Sequence, residues 1–266
     1  MRQEAATLQA FYASPLGEHI TRLLSARLKA LWPDLARTAV LGHGYVTPLL
    51  GDLPPGTKAR IASMPASQGA TTWSGGHGAV STVLVEDESW PFMNGVFDRV
   101  IIMHGIEEAV KADRLVKEAW RVLVPEGRIV VLASNRLGLW SRSDRTPFGH
   151  GRPWTRLQLA KLLSASNFQV SAWSHALYAP PMKTGWMLKL ADPFEKAGET
   201  ITPNLAGIVM VEGIKRLYIE PHKAQAERLV PVPAPAHKTA APAPNIKAHR
   251  SPRPTSNRRS LTEDRS

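Results

Sequence analysis

Five short, nearly continuous apolar runs are the feature that most restricts the fold of this chain. They occupy residues 38–42, 59–64, 80–86, 97–105 and 127–134. Strands that are buried on both faces of a parallel sheet have this composition, because helices cover the sheet on either side. Helical patterns at 110–123 and 155–166 alternate with the last of these runs. The alternation predicts an α/β fold with a mostly parallel central sheet and helices on both faces.

Helix signals and two late strands complete the predicted domain. Ser14-Pro15 predicts a helix start, because serine caps a helix and proline is tolerated at its first position. Apolar residues then recur on one helical face as far as Leu31, and Thr155 is placed to cap a later helix. Strands are expected at about 168–175 and 206–218, one of them antiparallel. Ligands of such sheets bind at the carboxyl ends of the strands.

The composition excludes several classes of site. The chain has 266 residues and no cysteine, so disulfides, thiolate metal sites and cysteine nucleophiles are excluded. The histidines lack close metal-ligand spacing, and no metal site is expected. No apolar run approaches the roughly 20 residues that span a bilayer. The first residues lack the apolar core of a signal peptide. We expect a soluble, cytoplasmic protein that has no contact with membranes.

Residues 221–266 differ from the rest of the chain. They carry nine Lys and Arg against three Asp and Glu, which is more than half of the formal net charge of +11. The segment is rich in Pro and Ala and poor in large apolar residues, so we expect a disordered tail. A basic tail gives weak, non-specific contact with nucleic acid, or it is only a solvated extension. The predicted organisation is an α/β domain at 1–220, with an N-terminal helical segment at 1–34, followed by this tail.

Three stretches carry a resemblance to a known family. Gly42-His43-Gly44 follows the first predicted strand, "EDESWPFMNGVFDRVIIMHGIEE" occupies residues 86–108, and "LVKEAWRVLVPEGRIVVLASN" occupies residues 115–135. Together they resemble the class I S-adenosylmethionine-dependent methyltransferases of the small-molecule type 11 kind. The resemblance implies a Rossmann-like fold, S-adenosylmethionine as cofactor, and methyl transfer to an acceptor. The acceptor is expected to be a small molecule, which the sequence does not name.

The resemblance also implies a set of cofactor-binding residues. Gly42 and Gly44 let the backbone approach the cofactor, although an ordinary tight turn also explains them. Glu86 or Asp87 matches the carboxylate that accepts the adenine amino group, and a solvated acidic turn is the other interpretation. Neutral contacts are expected from Tyr45, Ser63 and Met64. Gly44→Val is expected to abolish cofactor binding without unfolding the chain, because the loop is expected at the edge of the core.

Catalytic and substrate-binding candidates lie later in the chain. His104 ends the fourth strand and His150 lies in a long loop, and either is a candidate base. A histidine that only satisfies a backbone group is the alternative for His104. Arg145 and Arg152 are candidates for binding a carboxylate or phosphate of the substrate, unless the loop is merely a solvated basic segment.

Two departures from the family pattern leave the function open. Relatives carry a carboxylate two residues before the first glycine, where this chain has Val40, and another after the second strand, where it has Ser63 and Met64. A charge-assisted hydrogen bond contributes about 1.5–3 kcal/mol, so losing two lowers affinity by roughly two orders of magnitude or more. The sequence is therefore compatible with a methyltransferase, with a catalytically silent relative that binds or regulates, or with a protein that contacts nucleic acid through its tail.

Overall fold

An eight-stranded sheet forms the centre of the fold in the computed structural model, which describes residues 2–73, 81–181, 195, 197–200, 203–217 and 228–229. The strands are β1 (Ala39–Gly44), β2 (Ala59–Pro65), β3 (Thr82–Val85), β4 (Phe97–Met103), β5 (Leu123–Ser134), β6 (Phe168–Ala176), β7 (Ile208–Lys215) and β8 (Arg228–Leu229). The five apolar runs correspond to β1–β5, and the two late strands correspond to β6 and β7.

The strand order is β3-β2-β1-β4-β5-β7-β6-β8. Neighbouring strands from β3 to β5 pair in parallel, whereas β7 is antiparallel to both β5 and β6. This confirms the predicted mostly parallel sheet with a late antiparallel strand. The chain adds β2 and β3 on one side of β1, and β4 and β5 on the other side. A crevice is therefore expected at the carboxyl ends of β1 and β4, where the order of the strands reverses.

Five α-helices whose bounds are fully described surround the sheet, and residues 195 and 197–200 are also helical. The five helices are α1 (Ala5–Tyr12), α2 (Pro15–Leu31), α3 (Thr47–Gly51), α4 (Ala112–Val122) and α5 (Arg156–Ala165). The predicted caps are present: Ser14 Oγ accepts a hydrogen bond from the Gly17 amide, and Thr155 forms a capping box with Gln158. α1 lies within the predicted N-terminal helical segment, although no separate helix was predicted before Ser14, and the sequence did not predict α3, which has only five residues.

Apolar residues on the two faces of the sheet form two cores. Ile101 of β4 packs with α1, α2 and α3 on one face, where Leu24 and Leu49 are fully buried. The next residue, Ile102, packs with α4 and α5 on the other face. Successive strand residues point to opposite faces, so both must be apolar here. The crevice lies at the strand ends between these two helical layers.

The chain divides into one unit at Met1–Val232 and another at Pro233–Ser266. The first unit ends later than the predicted boundary at residue 220, because β8 pairs with Ala172 and Trp173 of β6. The rest of the predicted tail lies outside the described residues, so its disorder and its contact with nucleic acid stay predictions. Within the described ranges, we find no helix with the length and apolar character of a membrane span.

Candidate functional site

The loop that follows β1 packs directly on the loop that follows β4. Gly44 has φ +88°, and a Cβ placed on it would lie 2.2 Å from the carbonyl oxygen of Met103. The next amide, that of Tyr45, donates a hydrogen bond of 2.9 Å to the same oxygen. Glycine is required at this position because the left-handed backbone and the close approach both exclude a side chain.

This packing corrects the expectation that Gly44→Val leaves the fold intact. The residue is buried in the crevice and touches backbone rather than the edge of the core. A Cβ on Gly42 would lie 2.8 Å from Cβ of Val46, so this glycine is needed where the turn packs on β1. Both glycines therefore have a structural role in the turn, whatever else they bind.

A buried ion pair spans the crevice from the N-terminal segment, which we define as residues 2–4. The Arg2 side chain is 4% exposed, and its two terminal nitrogens lie 3.0 and 2.9 Å from the two carboxylate oxygens of Asp87. The same guanidinium donates to the carbonyl of Gly105 at 3.2 Å. The backbone amide of Gln3 donates to the Glu108 carboxylate at 3.1 Å. The N-terminal segment is thereby fixed to the ends of β3 and β4.

His43 fills the space between the ends of β1, β2 and β3. Its ring is fully buried and stacks on Trp90, with 4.7 Å between the ring centroids. Nδ1 lies 3.2 Å from Ser63 Oγ, which itself donates to the carbonyl of Gly42. Nε2 lies 3.3 Å from Asp87 Oδ1, which is a close polar contact without the alignment of a hydrogen bond.

The surroundings lower the pKa of both His43 and Asp87, which leaves the first neutral and the second ionised. Burial lowers the pKa of His43, although the nearby Asp87 carboxylate opposes the shift. Burial alone would raise the pKa of Asp87, but the contacts with His43 and Arg2 outweigh it and the pKa is lowered. At neutral pH the crevice therefore holds a neutral imidazole and an ionised carboxylate paired with a guanidinium.

The structure brings several of the predicted cofactor residues together. Gly42, Gly44, Ser63 and Asp87 meet around His43, whereas Glu86 is exposed. Of the two acidic candidates, Asp87 is the one whose carboxylate enters the crevice. Tyr45 and Met64 are buried in the core on the α1–α3 face of the sheet.

His104 lies at the end of β4 in a strained backbone conformation. Its φ is +52°, which a non-glycine residue rarely adopts and which occurs often at functional sites. Its Nε2 lies 2.7 Å from the Tyr12 hydroxyl of α1. Burial lowers the pKa of His104 to about 3, so the ring is neutral at physiological pH. The side chain holds Tyr12 and is a poor proton acceptor.

Glu107 is a buried carboxyl that lies in the "HGIEE" of residues 104–108 but was not among the predicted site residues. Its Oε1 accepts hydrogen bonds from the backbone amide and hydroxyl of Ser134, at 2.9 and 3.3 Å. Its Oε2 has no hydrogen-bond partner, and neither has the buried side-chain amide of Gln68. Burial raises the pKa of Glu107 to about 7, although the Ser134 hydrogen bonds oppose the shift. Near neutral pH this carboxyl can both take up and release a proton.

A cavity of about 10 Å³ is lined by His104, Glu107, Gln68 and His150, among others. This is the space that one water molecule needs. The two predicted catalytic histidines thus share one small cavity, and His150 Nε2 also lies 3.1 Å from the Asp144 carbonyl oxygen.

The predicted substrate-binding arginines, unlike the two histidines, are not among the residues that line the small cavity. Arg145 and Arg152 are both exposed, and Arg152 reaches the site only through its backbone amide, which donates to the Glu107 carbonyl at 2.8 Å. In the part of the chain that the structure describes, no group of three or more His, Asp or Glu is arranged to hold a metal ion.

A larger cavity of about 410 Å³ lies among α1, α2, the loop after β1 and the loop after β2. Its lining residues are Gln9, Tyr12, Glu18, Thr21, Tyr45, Thr47, Pro48, Thr71, Thr72 and Trp73. The rings of Tyr12 and Tyr45 stack with 5.7 Å between centroids. Because Tyr12 also contacts His104, one side chain connects this cavity to the small polar cavity.

Comparisons with known proteins agree on one fold. Residues 41–131 match a family model described as a methyltransferase domain. The chain is similar to an S-adenosylmethionine-dependent methyltransferase from Mesorhizobium loti, with 10% identity over 71% of this chain and 95% of that chain and a TM-score of 0.52. It is also similar to a methyltransferase from Aquifex aeolicus, with 11% identity over 80% and 100% of the two chains and a TM-score of 0.50.

A third structure, from Thermotoga maritima, is described as a possible histamine N-methyltransferase. It shares 15% identity over 78% of this chain and 94% of that chain, with a TM-score of 0.50. At these identities the likeness shows the fold and not the substrate. No curated protein matches in sequence.

Proposed function

We propose that this protein is an S-adenosylmethionine-dependent methyltransferase whose cofactor site is closed by its own N-terminal segment. The proposal starts from the match of residues 41–131 to a class I methyltransferase domain and from the shared fold. The observation that supports this most directly is the Arg2–Asp87 ion pair. A carboxylate is present at the end of β3, where the family resemblance implies the adenine acceptor. It is held by an arginine that lies outside every helix and strand.

Two parts of the crevice are suited to the cofactor once Arg2 has left Asp87. Asp87 would then accept a hydrogen bond from the adenine amino group, and the backbone at Gly44 would lie beside the methionine part. The bound cofactor would supply a methyl group on a cationic sulfur. The protein's own contribution is to hold and orient the acceptor, which is expected to be a small molecule. Without carboxylates at Val40 and after β2, we expect weak binding.

The groups around the small cavity suggest how a proton would be handled. Glu107 has a free carboxylate oxygen and a pKa of about 7, which suits a general base at neutral pH. The neutral ring of His104 orients the Tyr12 hydroxyl instead. Within the proposed function we therefore assign proton uptake to Glu107 rather than to His104 or His150.

One observation favours a second candidate, a silent relative that has lost the cofactor. The His43 ring is fully buried between Ser63 and Asp87, which are the residues at the ends of β2 and β3. A side chain placed there replaces contacts that a cofactor would make. The backbone of His43 is fixed in β1, so its side chain can leave only by a change of rotamer. Arg2, in contrast, lies outside the helices and strands and can leave with its backbone.

Calorimetric titration with S-adenosylmethionine and S-adenosylhomocysteine distinguishes these candidates. We expect weak binding to the wild type and binding about ten- to a hundredfold tighter to Arg2→Ala, because a competing charged hydrogen-bond pair of about 1.5–3 kcal/mol is removed. Arg22→Ala, which removes an exposed arginine of α2, is the matched control and should leave the affinity unchanged. Absence of binding at millimolar cofactor to the wild type, to Arg2→Ala and to His43→Ala, all shown to be folded, would favour the silent relative.

A further inference from the structure

We propose that the larger cavity, lined by residues of α1, α2 and the loops after β1 and β2, binds a small organic cation. The cavity has a volume of about 410 Å³, within the range of ligand sites in proteins. It shares only Tyr45 with the predicted cofactor residues. The inference therefore holds whether or not the cofactor binds.

The charge of the lining selects against anions. Glu18 is the acidic residue of the lining, and no Lys, Arg or His stands among the described residues that line the cavity. An anion entering the cavity would lose water and meet a carboxylate, whereas a cation would gain a charge partner.

The aromatic lining favours a cation over a neutral molecule of the same shape. Tyr12, Tyr45 and Trp73 line the cavity, and the π-face of an aromatic ring attracts an ammonium group. Tyr12 and Tyr45 are buried and fixed by their mutual stacking, so their rings lose little freedom when a ligand binds.

Hydroxyl groups provide the remaining polar contacts. Thr47, Thr71 and Thr72 line the cavity, and the first two contact the Tyr45 hydroxyl. Their oxygens can accept hydrogen bonds from a ligand hydroxyl or a protonated amine. The ligand chemistry that fits the wall is an ammonium group attached to a short chain that carries a hydrogen-bonding group.

Three probes of one shape test the charge preference directly. Choline is cationic, 3,3-dimethylbutan-1-ol is its neutral carbon isostere, and 3,3-dimethylbutanoate is an anion with the same branched head. Ligand-observed NMR of the methyl signals gives the three dissociation constants without any cofactor present. We expect choline to bind roughly three- to thirtyfold tighter than the alcohol, the range of a cation–π contribution, and the anion to bind weakest.

Two variants and a control locate the binding to this cavity. Glu18→Gln should reduce the preference for choline over the alcohol, and Trp73→Leu should weaken choline binding by a similar factor. Asp113→Asn removes an exposed carboxylate in the first turn of α4 that does not line the cavity, and should change neither value. Equal binding of choline and the alcohol to the wild type, no binding of choline, or an effect of Asp113→Asn as large as that of Glu18→Gln would each overturn the proposal.

Discussion

Single residues in the crevice adopt states that are unfavourable elsewhere in a protein. His104, at the end of β4, has a positive φ angle, which is rare outside glycine. Glu107 is a buried carboxyl with one oxygen unpaired. Such states persist where the surrounding structure enforces them, and they concentrate at functional sites. Their energetic cost can be measured residue by residue.

Gly44→Ala should destabilise the fold more than Gly69→Ala. Both glycines have positive φ, so each variant carries backbone strain of about 1–3 kcal/mol. A Cβ at Gly69 meets open space, whereas at Gly44 it meets the Met103 carbonyl oxygen. Urea unfolding of both variants gives the difference. Equal losses of stability would show that the contact with β4 is unimportant.

Glu107→Gln should change the pH dependence of stability. The pKa of Glu107 is raised to about 7, mainly by burial, so the folded state binds the proton more tightly than the unfolded state does. The contribution of this group is therefore most favourable at low pH and is lost between about pH 4.5 and 7. The wild type should lose roughly 3 kcal/mol relative to the variant across this range.

Denaturant unfolding of the wild type and Glu107→Gln at pH 5 and pH 8 checks the direction of this change in stability. His104 has the opposite effect, because its lowered pKa makes stability rise between about pH 3 and 6.5. The histidine is common to wild type and variant and cancels in their difference. Glu86→Gln, at an exposed carboxylate, is the control. A difference between wild type and Glu107→Gln that does not vary with pH would contradict the assignment.

At the scale of elements, the sequence predicted those strands and helices whose formation depends on a local residue pattern. β1–β5 were predicted because a strand covered on both faces must be apolar throughout, and α2 and α5 because their caps are local. The closed crevice could not be predicted in the same way. Arg2 and Asp87 are 85 residues apart, and neither residue lies in a pattern that indicates the other. The role of Glu107 depends equally on burial by distant residues.

The docking of α1 on the sheet gives a prediction at this scale. Tyr12→Phe removes the hydroxyl that contacts His104 at 2.7 Å and leaves a buried ring nitrogen without a partner. We expect a loss of about 1–3 kcal/mol and faster amide hydrogen exchange in α1. Tyr45→Phe removes a hydroxyl that contacts Thr47 and Thr71 but not His104, so it should speed exchange in α1 less than Tyr12→Phe does. A larger effect of Tyr45→Phe would mean that the Tyr12–His104 contact does not hold α1.

At the scale of the whole molecule, the terminal unit should be dispensable for folding. Removal of residues 233–266 should leave the melting temperature unchanged, because the first unit ends at Val232. Removal of residues 221–266 also deletes β8, a strand of two residues, and should lower the melting temperature by no more than about 2–4 °C. A larger fall in either shortened chain would show that the C-terminal residues stabilise the domain.

The position of β7 has a consequence for synthesis on the ribosome. This strand is made after β5 and β6 but lies between them, and it supplies the antiparallel pairing of both. Until residues 208–215 have left the exit tunnel, the two earlier strands present unpaired edges of the kind that recruit other chains. The sheet is thus completed at an interior position by one of its last segments. We therefore expect wrong pairing of a nascent chain to be most frequent between the synthesis of β5 and that of β7.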